Sequence, residues 1–305
     1  MCHLRWIPTP AQPGLKLNKA KIVFELERGH HLPELPEVES VRRGLEAQVV
    51  GKTIQDVQVY WDNIIESPKP VSQFKNRLLN QTIHQVKRRG KFLLFYLDQD
   101  VLISHLRMEG KYSLLYQDAP LTKYSHVIFN FRDGTQLRYE DVRKFGRMSL
   151  VEKGKEAQHK SLAQLGPEPT FEDLSLDWML SFLVHKTRAI KSILLDQKLL
   201  VGVGNIYADE ILFQARIQPD RPGGSLTPKE VEALRQAAIT ILQEATLKGG
   251  STVRSYKNSL GQAGTYQDFH QVYGKEGEPC PRCHQPIKKI KLNGRGTHFC
   301  PHCQQ

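Results

Sequence analysis

The sequence predicts an α+β multidomain protein: an N-terminal antiparallel β-sandwich with flanking helices, then a C-terminal helical bundle, then a small module built on four cysteines. Three observations carry this expectation. Residues 52 to 151 are rich in β-branched and aromatic residues in short runs broken by turn residues. From about residue 172 to 247 the pattern turns helical, and four of the five cysteines gather near the end as two CxxC pairs. At 305 residues, 25% charged and 39% hydrophobic, the chain has the length and balance of a soluble protein with more than one core. No apolar run approaches the ~20 residues needed to span a membrane.

Taken in order, residues 1–32 hold Pro8, Pro10 and Pro13, two adjacent histidines, no serine and only the short apolar run Ile22 to Phe24. That fits neither a signal peptide nor a transit peptide. Two readings stay open: a disordered leader, or upstream sequence translated from a start that really lies at Leu32. From Pro36, the residues Val38, Val41, Leu45 and Val49 recur at helical spacing, with Glu37 and Glu39 in the first turn, where the helix dipole favours acids, and Gly51 closing the helix.

The stretches 52–61, 82–86, 92–97, 101–105, 127–132 and 135–139 read as strands of an antiparallel sandwich of about eight. Asp133-Gly134, between the last two, is a strong hairpin signal. Leu165-Gly166-Pro167-Glu168-Pro169 breaks the pattern and reads as a linker. The expected boundaries are 33–165 for the sandwich domain, 166–171 for the linker, 172–248 for the helical domain, 249–269 for a glycine-bearing loop and 270–305 for the cysteine module.

Helices are expected over 172–184, 187–197, 205–214 and 227–246. Gly202 and Gly204 form a GxG, but no βαβ unit surrounds it, so it is not a dinucleotide site. A plain glycine turn accounts for it as well as a helix entrance does. In the second case Asn205 caps the next helix and leaves free amides facing an anion.

Cys280 and Cys283 are separated by 16 residues from Cys300 and Cys303. Two CxxC pairs at this separation can present four thiolates as a tetrahedron, the pattern of a zinc finger holding one Zn²⁺. With all four positions cysteine no coordination site stays open, so the metal is expected to be structural.

The formal charge is +11, of which residues 1–32 supply +3 and the remainder +8. Such a balance points to a polyanionic partner, most simply nucleic acid. Basic residues cluster at Lys87-Arg88-Arg89-Gly90-Lys91, ordinarily a solvated turn. They cluster again through the cysteine module at Lys275, Arg282, Lys288, Lys289, Lys291 and Arg295.

These motifs, in this order, resemble the bacterial formamidopyrimidine-DNA glycosylases (the Fpg/MutM family) from Leu32 to Cys303. The resemblance begins with Leu32 to Glu39, reading Leu-Pro-Glu-Leu-Pro-Glu-Val-Glu. It continues through His105-Leu106-Arg107-Met108-Glu109-Gly110, Asp141-Val142-Arg143-Lys144-Phe145-Gly146, Val201 to Ala208 and the two CxxC pairs.

It implies a helix-two-turn-helix (H2TH) domain and a bifunctional DNA glycosylase and apurinic lyase acting on oxidised purines, 8-oxoguanine and formamidopyrimidines, in base excision repair. Pro33 would be the nucleophile through a free ring nitrogen, since an amide nitrogen has no lone pair to offer. Glu34 would be acid and base, with Lys91 and Arg295 assisting at lesion and phosphate. Met108, Arg143 and Phe145 would fill the hole left by a flipped base, and His105 would contact DNA. Tyr124 stands where many relatives have a DNA-contacting His, with His126 two residues on. Lys191 and Asn205 would grip one phosphate and Lys186 another, and 249–269 would fold over the extruded base.

The implied partner is double-stranded damaged DNA, bound by a bacterial cytoplasmic monomer without a nucleotide cofactor. Two alternatives remain. One is an endonuclease VIII-type glycosylase for oxidised pyrimidines, whose members typically begin Pro-Glu-Gly-Pro, against Pro33-Glu34-Leu35-Pro36 here. The other is a non-catalytic binder of damaged DNA, should the leader keep Pro33 acylated.

Overall fold

The computed structural model describes residues 33–251 and 263–305. The leader and residues 252–262 of the expected capping loop lie outside the described residues. Helix α1, Leu35–Val49, forms where the apolar stripe predicts it: Val38, Val41, Leu45 and Val49 are all buried. Each such side chain contributes about 1.5–3 kcal/mol relative to exposure. Gly51, at φ +84°, takes the chain out of the helix in a conformation that side chains resist.

The strands are β1 Ile54–Val59, β2 Ile65–Ser67, β3 Gln85–Arg89, β4 Phe92–Tyr96, β5 Asp100–His105, β6 Lys111–Tyr116, β7 Ser125–Phe131, β8 Thr135–Glu140 and β9 Arg147–Glu152. They make two sheets, ordered β1-β7-β8-β6 and β2-β9-β5-β4-β3. Between them lies one core, with Val57, Phe129 and Leu137 from the first sheet, Val86, Phe95 and Leu102 from the second, and the buried stripe of α1. Asp133-Gly134 does turn β7 back antiparallel onto β8.

Two features correct the expectation of about eight antiparallel strands. Among the described residues the two sheets have nine, and β2 pairs parallel with β9. Between β2 and β3 stands α2, Val71–Leu78, which buries only Phe74 and Leu78. A three-residue strand and a two-turn helix are too short for their periodicity to show.

Beyond the linker come α3 Leu176–Leu183, α4 Ile190–Leu194, α5 Asn205–Ala215 and α6 Pro228–Leu247. Helix α3 starts late because Ser175 caps it, accepting from Trp178 N at 3.2 Å. Helix α6 opens on a capping box: Thr227 N donates to Glu230 Oε2 at 2.8 Å while Glu230 N donates to Thr227 Oγ1 at 3.3 Å. Helix α5 is central, and Ile206 through Phe213 are all buried. A helix buried on every side needs no polar face, which is why its apolar residues show little one-sided pattern.

The linker is not slack. Glu168 accepts from Arg88 at 2.8 Å, Arg89 at 3.1 Å and Gly90 N at 2.8 Å, so the basic turn is clamped to the start of the helical domain. The last module is a hairpin, β10 Lys288–Leu292 and β11 Arg295–Phe299, lying against α5.

Candidate active site and nucleic-acid interface

Glu34, the residue before α1, is 1% exposed and reaches across to the helical domain. Its carboxyl accepts from Gly204 N at 2.5 Å, Ile206 N at 2.9 Å and Tyr207 N at 3.4 Å. It therefore satisfies the free amides at the start of α5, with the favourable end of the helix dipole beneath it. A Cβ on Gly204 would stand 2.4 Å from the Glu34 carboxyl carbon, so this approach requires glycine. Likewise Gly202, at φ +89°, passes over Leu35 and accepts from Leu35 N at 3.0 Å. These contacts correct the expected cap: Asn205 is the first residue of α5, and the donors it was to satisfy are taken by Glu34.

Burial raises the Glu34 pKa to about 7; Lys91 pulls it down, Glu37 pushes it up, and the amides of Ile206 and Gly204 pull it down. A carboxyl poised near neutrality can both give and take a proton, which suits a general acid and base. Lys91 donates from Nζ to Val203 O at 2.9 Å. Burial lowers its pKa, against the raising influence of Glu34 and Glu37, while the Arg295 charge lowers it further. Pro33 is buried beside Glu34 at the entrance of α1. The structure thus places Pro33 and Glu34 together with Lys91 within electrostatic reach of Glu34, and the Arg295 charge of the finger within reach of Lys91.

Glu37 supports this arrangement and is a residue whose role the sequence did not announce. Its carboxylate accepts from Glu34 N at 2.8 Å, Ser251 N at 2.6 Å and Tyr207 OH at 2.8 Å. Burial raises its pKa too. The only hint in the sequence was a Glu three positions after the residue that precedes the helix.

The expected wedge residues lie on the sandwich. Asp141 gathers their loop, accepting from Arg143 N at 2.9 Å, Phe145 N at 2.9 Å and Gly146 N at 2.8 Å. Phe145 is 44% exposed, with the Arg143 guanidinium 4.8 Å from its ring centre. Met108 is half-buried in the turn between β5 and β6. His105 accepts from Arg107 N at Nδ1, 2.9 Å, and stacks edge-on against Phe92. Burial, with the charges of Arg107 and Lys91, pushes its pKa down to about 3, so the ring is neutral. Tyr124 is half-exposed, whereas His126 is buried with Nε2 2.7 Å from Asp141 O. Of these two, only Tyr124 has its side chain at the surface.

Lys186 is exposed, its amine 4.7 Å from the Phe182 ring centre. Lys191 is the surprise, because it is 1% exposed and turned inward. Its amine pairs with Asp209 at 2.6 Å and donates to Gly296 O at 3.0 Å and Thr297 Oγ1 at 2.8 Å. Asn205 Nδ2 reaches the same Gly296 carbonyl at 3.1 Å. Both residues expected on one phosphate thus converge on one acceptor, supplied here by the finger's own backbone.

The sulfurs of Cys280, Cys283, Cys300 and Cys303 lie within 4.8 Å of one another. Cys280 and Cys303 are 3.9 Å apart, Cys283 and Cys300 3.4 Å. Tetrahedral Zn²⁺ with Zn–S of about 2.3 Å puts its sulfurs about 3.8 Å apart. Arg282 N and Cys303 N point at Cys280 and Cys300 sulfurs at 3.5 and 3.4 Å, as amides do towards bound thiolates. The cluster fits one structural zinc. Phe213 from α5 packs against this cluster and seats the finger.

Three family descriptions match the chain in order: the formamidopyrimidine-DNA glycosylase N-terminal domain over residues 32–148, the H2TH domain of the same enzymes over 165–257, and the zinc finger found in FPG and IleRS over 277–305. Fold and site together define a zinc-finger, H2TH class of DNA glycosylase. The formamidopyrimidine-DNA glycosylase of Enterococcus faecalis is 55% identical over 274 residues, 90% of this chain and 98% of that one. That of Bacillus subtilis is 52% identical over 273 residues, covering 90% and 99%. Among solved structures, a Lactococcus lactis FPG mutant bound to Fapy-dG-containing DNA superposes with a TM-score of 0.85 at 44% identity, covering 90% of this chain and all of the other. The wild-type Lactococcus lactis enzyme with an oxidised-pyrimidine-containing DNA gives 0.83 at 44%, with the same coverage. The chain belongs to the formamidopyrimidine-DNA glycosylase family.

Proposed function

We propose that this protein is a bifunctional DNA glycosylase and apurinic lyase that removes oxidised purines, 8-oxoguanine and formamidopyrimidines, from duplex DNA. The observation that carries the reading is the buried Glu34 carboxyl, with a pKa near 7, between Pro33, Lys91 and the start of α5. In the proposed reaction the Pro33 ring nitrogen donates its lone pair to C1′ as the bond to the damaged base breaks. The proton shed by that nitrogen goes to the departing base, Glu34 gives a proton to the sugar ring oxygen, the bond from C1′ to that oxygen opens and an iminium forms. The Glu34 carboxylate then takes a proton from C2′, which expels the 3′ phosphate, and a second elimination expels the 5′ phosphate, with Lys91 and Arg295 stabilising the departing charge.

This chemistry needs an uncapped nitrogen, so the working enzyme has Pro33 as its first residue; an α-amino group titrates near pH ~8 and is partly unprotonated at neutrality. Match coverage is consistent with that start: the first family description begins at Leu32. Phe145, Met108 and Arg143 would occupy the flipped-out base's place, and His105, Tyr124, Lys186 and Asn205 would hold the backbone, whereas Lys191, buried and bonded to Asp209, Gly296 and Thr297, is not free to reach a phosphate. Residues 249–269 would cover the extruded base. The proposed setting is duplex DNA in the bacterial cytoplasm, engaged by one copy of the chain.

Borohydride reduction tests the mechanism. With the amino-terminal residue identified as Pro33, a duplex containing 8-oxoguanine is expected to give a permanent crosslink; its absence, with binding intact, would establish a non-catalytic binder. A second reading, oxidised pyrimidines as the main substrate, is favoured by the Lactococcus lactis complex with such a lesion. A duplex panel separates the two, since faster cleavage of thymine glycol than of 8-oxoguanine would reverse the order proposed here.

A further inference from the structure

Asp209, on α5 behind the proposed site, is completely buried and has no part in the reaction as written above. One of its oxygens is 2.6 Å from Lys191 Nζ, and the other accepts from His298 N at 2.8 Å. Lys191 carries the link onward to Gly296 O and Thr297 Oγ1, and Asn205 adds a third donor to Gly296. One carboxylate therefore ties α4, α5 and β11 together. The residue immediately before Gly296 is Arg295, exposed at the hairpin tip, and its charge bears on both Lys91 and Lys191.

The tip is also tied to α4 by Asn293 Nδ2, which donates to Ser192 Oγ at 2.7 Å. Lys289 and Lys291 around it are exposed, and the four cysteines lie at the opposite end of the hairpin, beyond Phe299. A buried lysine stripped of its counter-ion is strongly unfavourable, so the Lys191 amine depends on the Asp209 side chain, 2.6 Å away, for its place against the hairpin. Asp209 thus acts at both ends: directly on the His298 amide, and through Lys191 on Gly296 and Thr297.

We infer that Asp209 is a positioning residue for the elimination steps, setting the register of β11 against α5 so that Arg295 is presented to the phosphates of the emptied nucleotide. The inference rests on the role proposed for Arg295. It differs from a purely structural role in what it predicts: the partition between products should change, and not only the amount of folded enzyme.

The test uses the full zinc-loaded enzyme with Pro33 exposed and an 8-oxoguanine duplex, and reads the ratio of double-elimination to single-elimination product under single turnover. Three variants are compared with the parent: Arg295→Ala, Asp209→Asn, and Asp209→Asn combined with Lys191→Met, which removes the stranded cation as well. Arg295→Ala and Asp209→Asn are each expected to lower the ratio about tenfold or more, the scale on which small misplacements of reacting groups act. Zinc should stay at one per chain. The double variant should regain thermal stability while its ratio stays low, because the hairpin has lost the Lys191 tie and keeps only a neutral acceptor at position 209 for the His298 amide.

A parental ratio in Asp209→Asn, with a lowered ratio in Arg295→Ala, overturns the inference alone. An unchanged ratio in Arg295→Ala removes the proposed role of Arg295 and this inference with it. Recovery of the ratio together with stability in the double variant, or loss of zinc in Asp209→Asn, would make Asp209 structural only.

Discussion

Glu34 and Phe145 are both assigned to the site, yet the molecule holds them in opposite ways. Glu34 is enclosed by the start of α5, the Lys91 turn and Glu37, with every approach fixed by backbone amides or a glycine. Phe145 stands 44% exposed on a loop gathered by a single carboxylate, Asp141. The difference matches the two tasks proposed for them. Proton transfer needs a desolvated group of fixed position and tuned pKa, whereas a wedge must be able to leave water for the interior of a duplex. Substitutions in the enclosed region should therefore cost turnover, and those on the loop should cost recognition.

The largest effect is expected for Pro33→Gly, which replaces the secondary amine by a more mobile primary one. Single-turnover cleavage should fall by about a hundredfold or more while duplex affinity is kept, since a catalytic contribution is being removed rather than a binding one. A variant as fast as the parent would end the assignment.

Gly204→Ala should come next. The new methyl group meets the Glu34 carboxyl at 2.4–2.6 Å, so either Glu34 or α5 must move. Such overpacking costs about 1–3 kcal/mol, read as a lower thermal midpoint, and turnover should fall with it. If only stability drops, the Glu34 position matters less than the comparison claims.

Phe145→Ala should show the converse. An exposed side chain leaves stability within about 0.5 kcal/mol of the parent, while affinity for a lesion duplex weakens and that for undamaged duplex barely changes. Equal weakening on both duplexes would show that Phe145 is not a wedge.

The smallest and most diagnostic effect is a displaced pH profile. The Glu34 pKa is raised to about 7, with Lys91 pulling it downward. Removing that cation in Lys91→Met raises it further, so Glu34 stays protonated to higher pH. The alkaline limb of excision should therefore move upward even as the rate falls. The linked stability effect has a definite sign. Between the ordinary carboxyl value of 4.5 and about 7 the folded state keeps a proton that the unfolded chain has lost, so this group's contribution declines as pH rises through that window. A limb that shifts downward in Lys91→Met would mean that another group controls it.

Much of the architecture was legible locally. The α1 stripe, the Asp133-Gly134 hairpin and the cysteine spacing are short-range patterns, and each appears where the residues predict it. The site was legible only in part. Pro33, Glu34 and Lys91 could be named, but nothing near Glu34 in sequence says that it caps a helix 170 residues away. Nor does anything near Lys191 say that its amine serves the finger.

What this sequence determines by itself is periodicity, turn chemistry and metal spacing, because those depend on neighbours within a few residues. What only the tertiary structure decides is the partner of each buried charge. Glu34 meets α5, Glu168 clamps the basic turn, and Asp209 holds Lys191. A charge removed from water must find an opposite charge or a set of donors, and packing of distant segments alone supplies them.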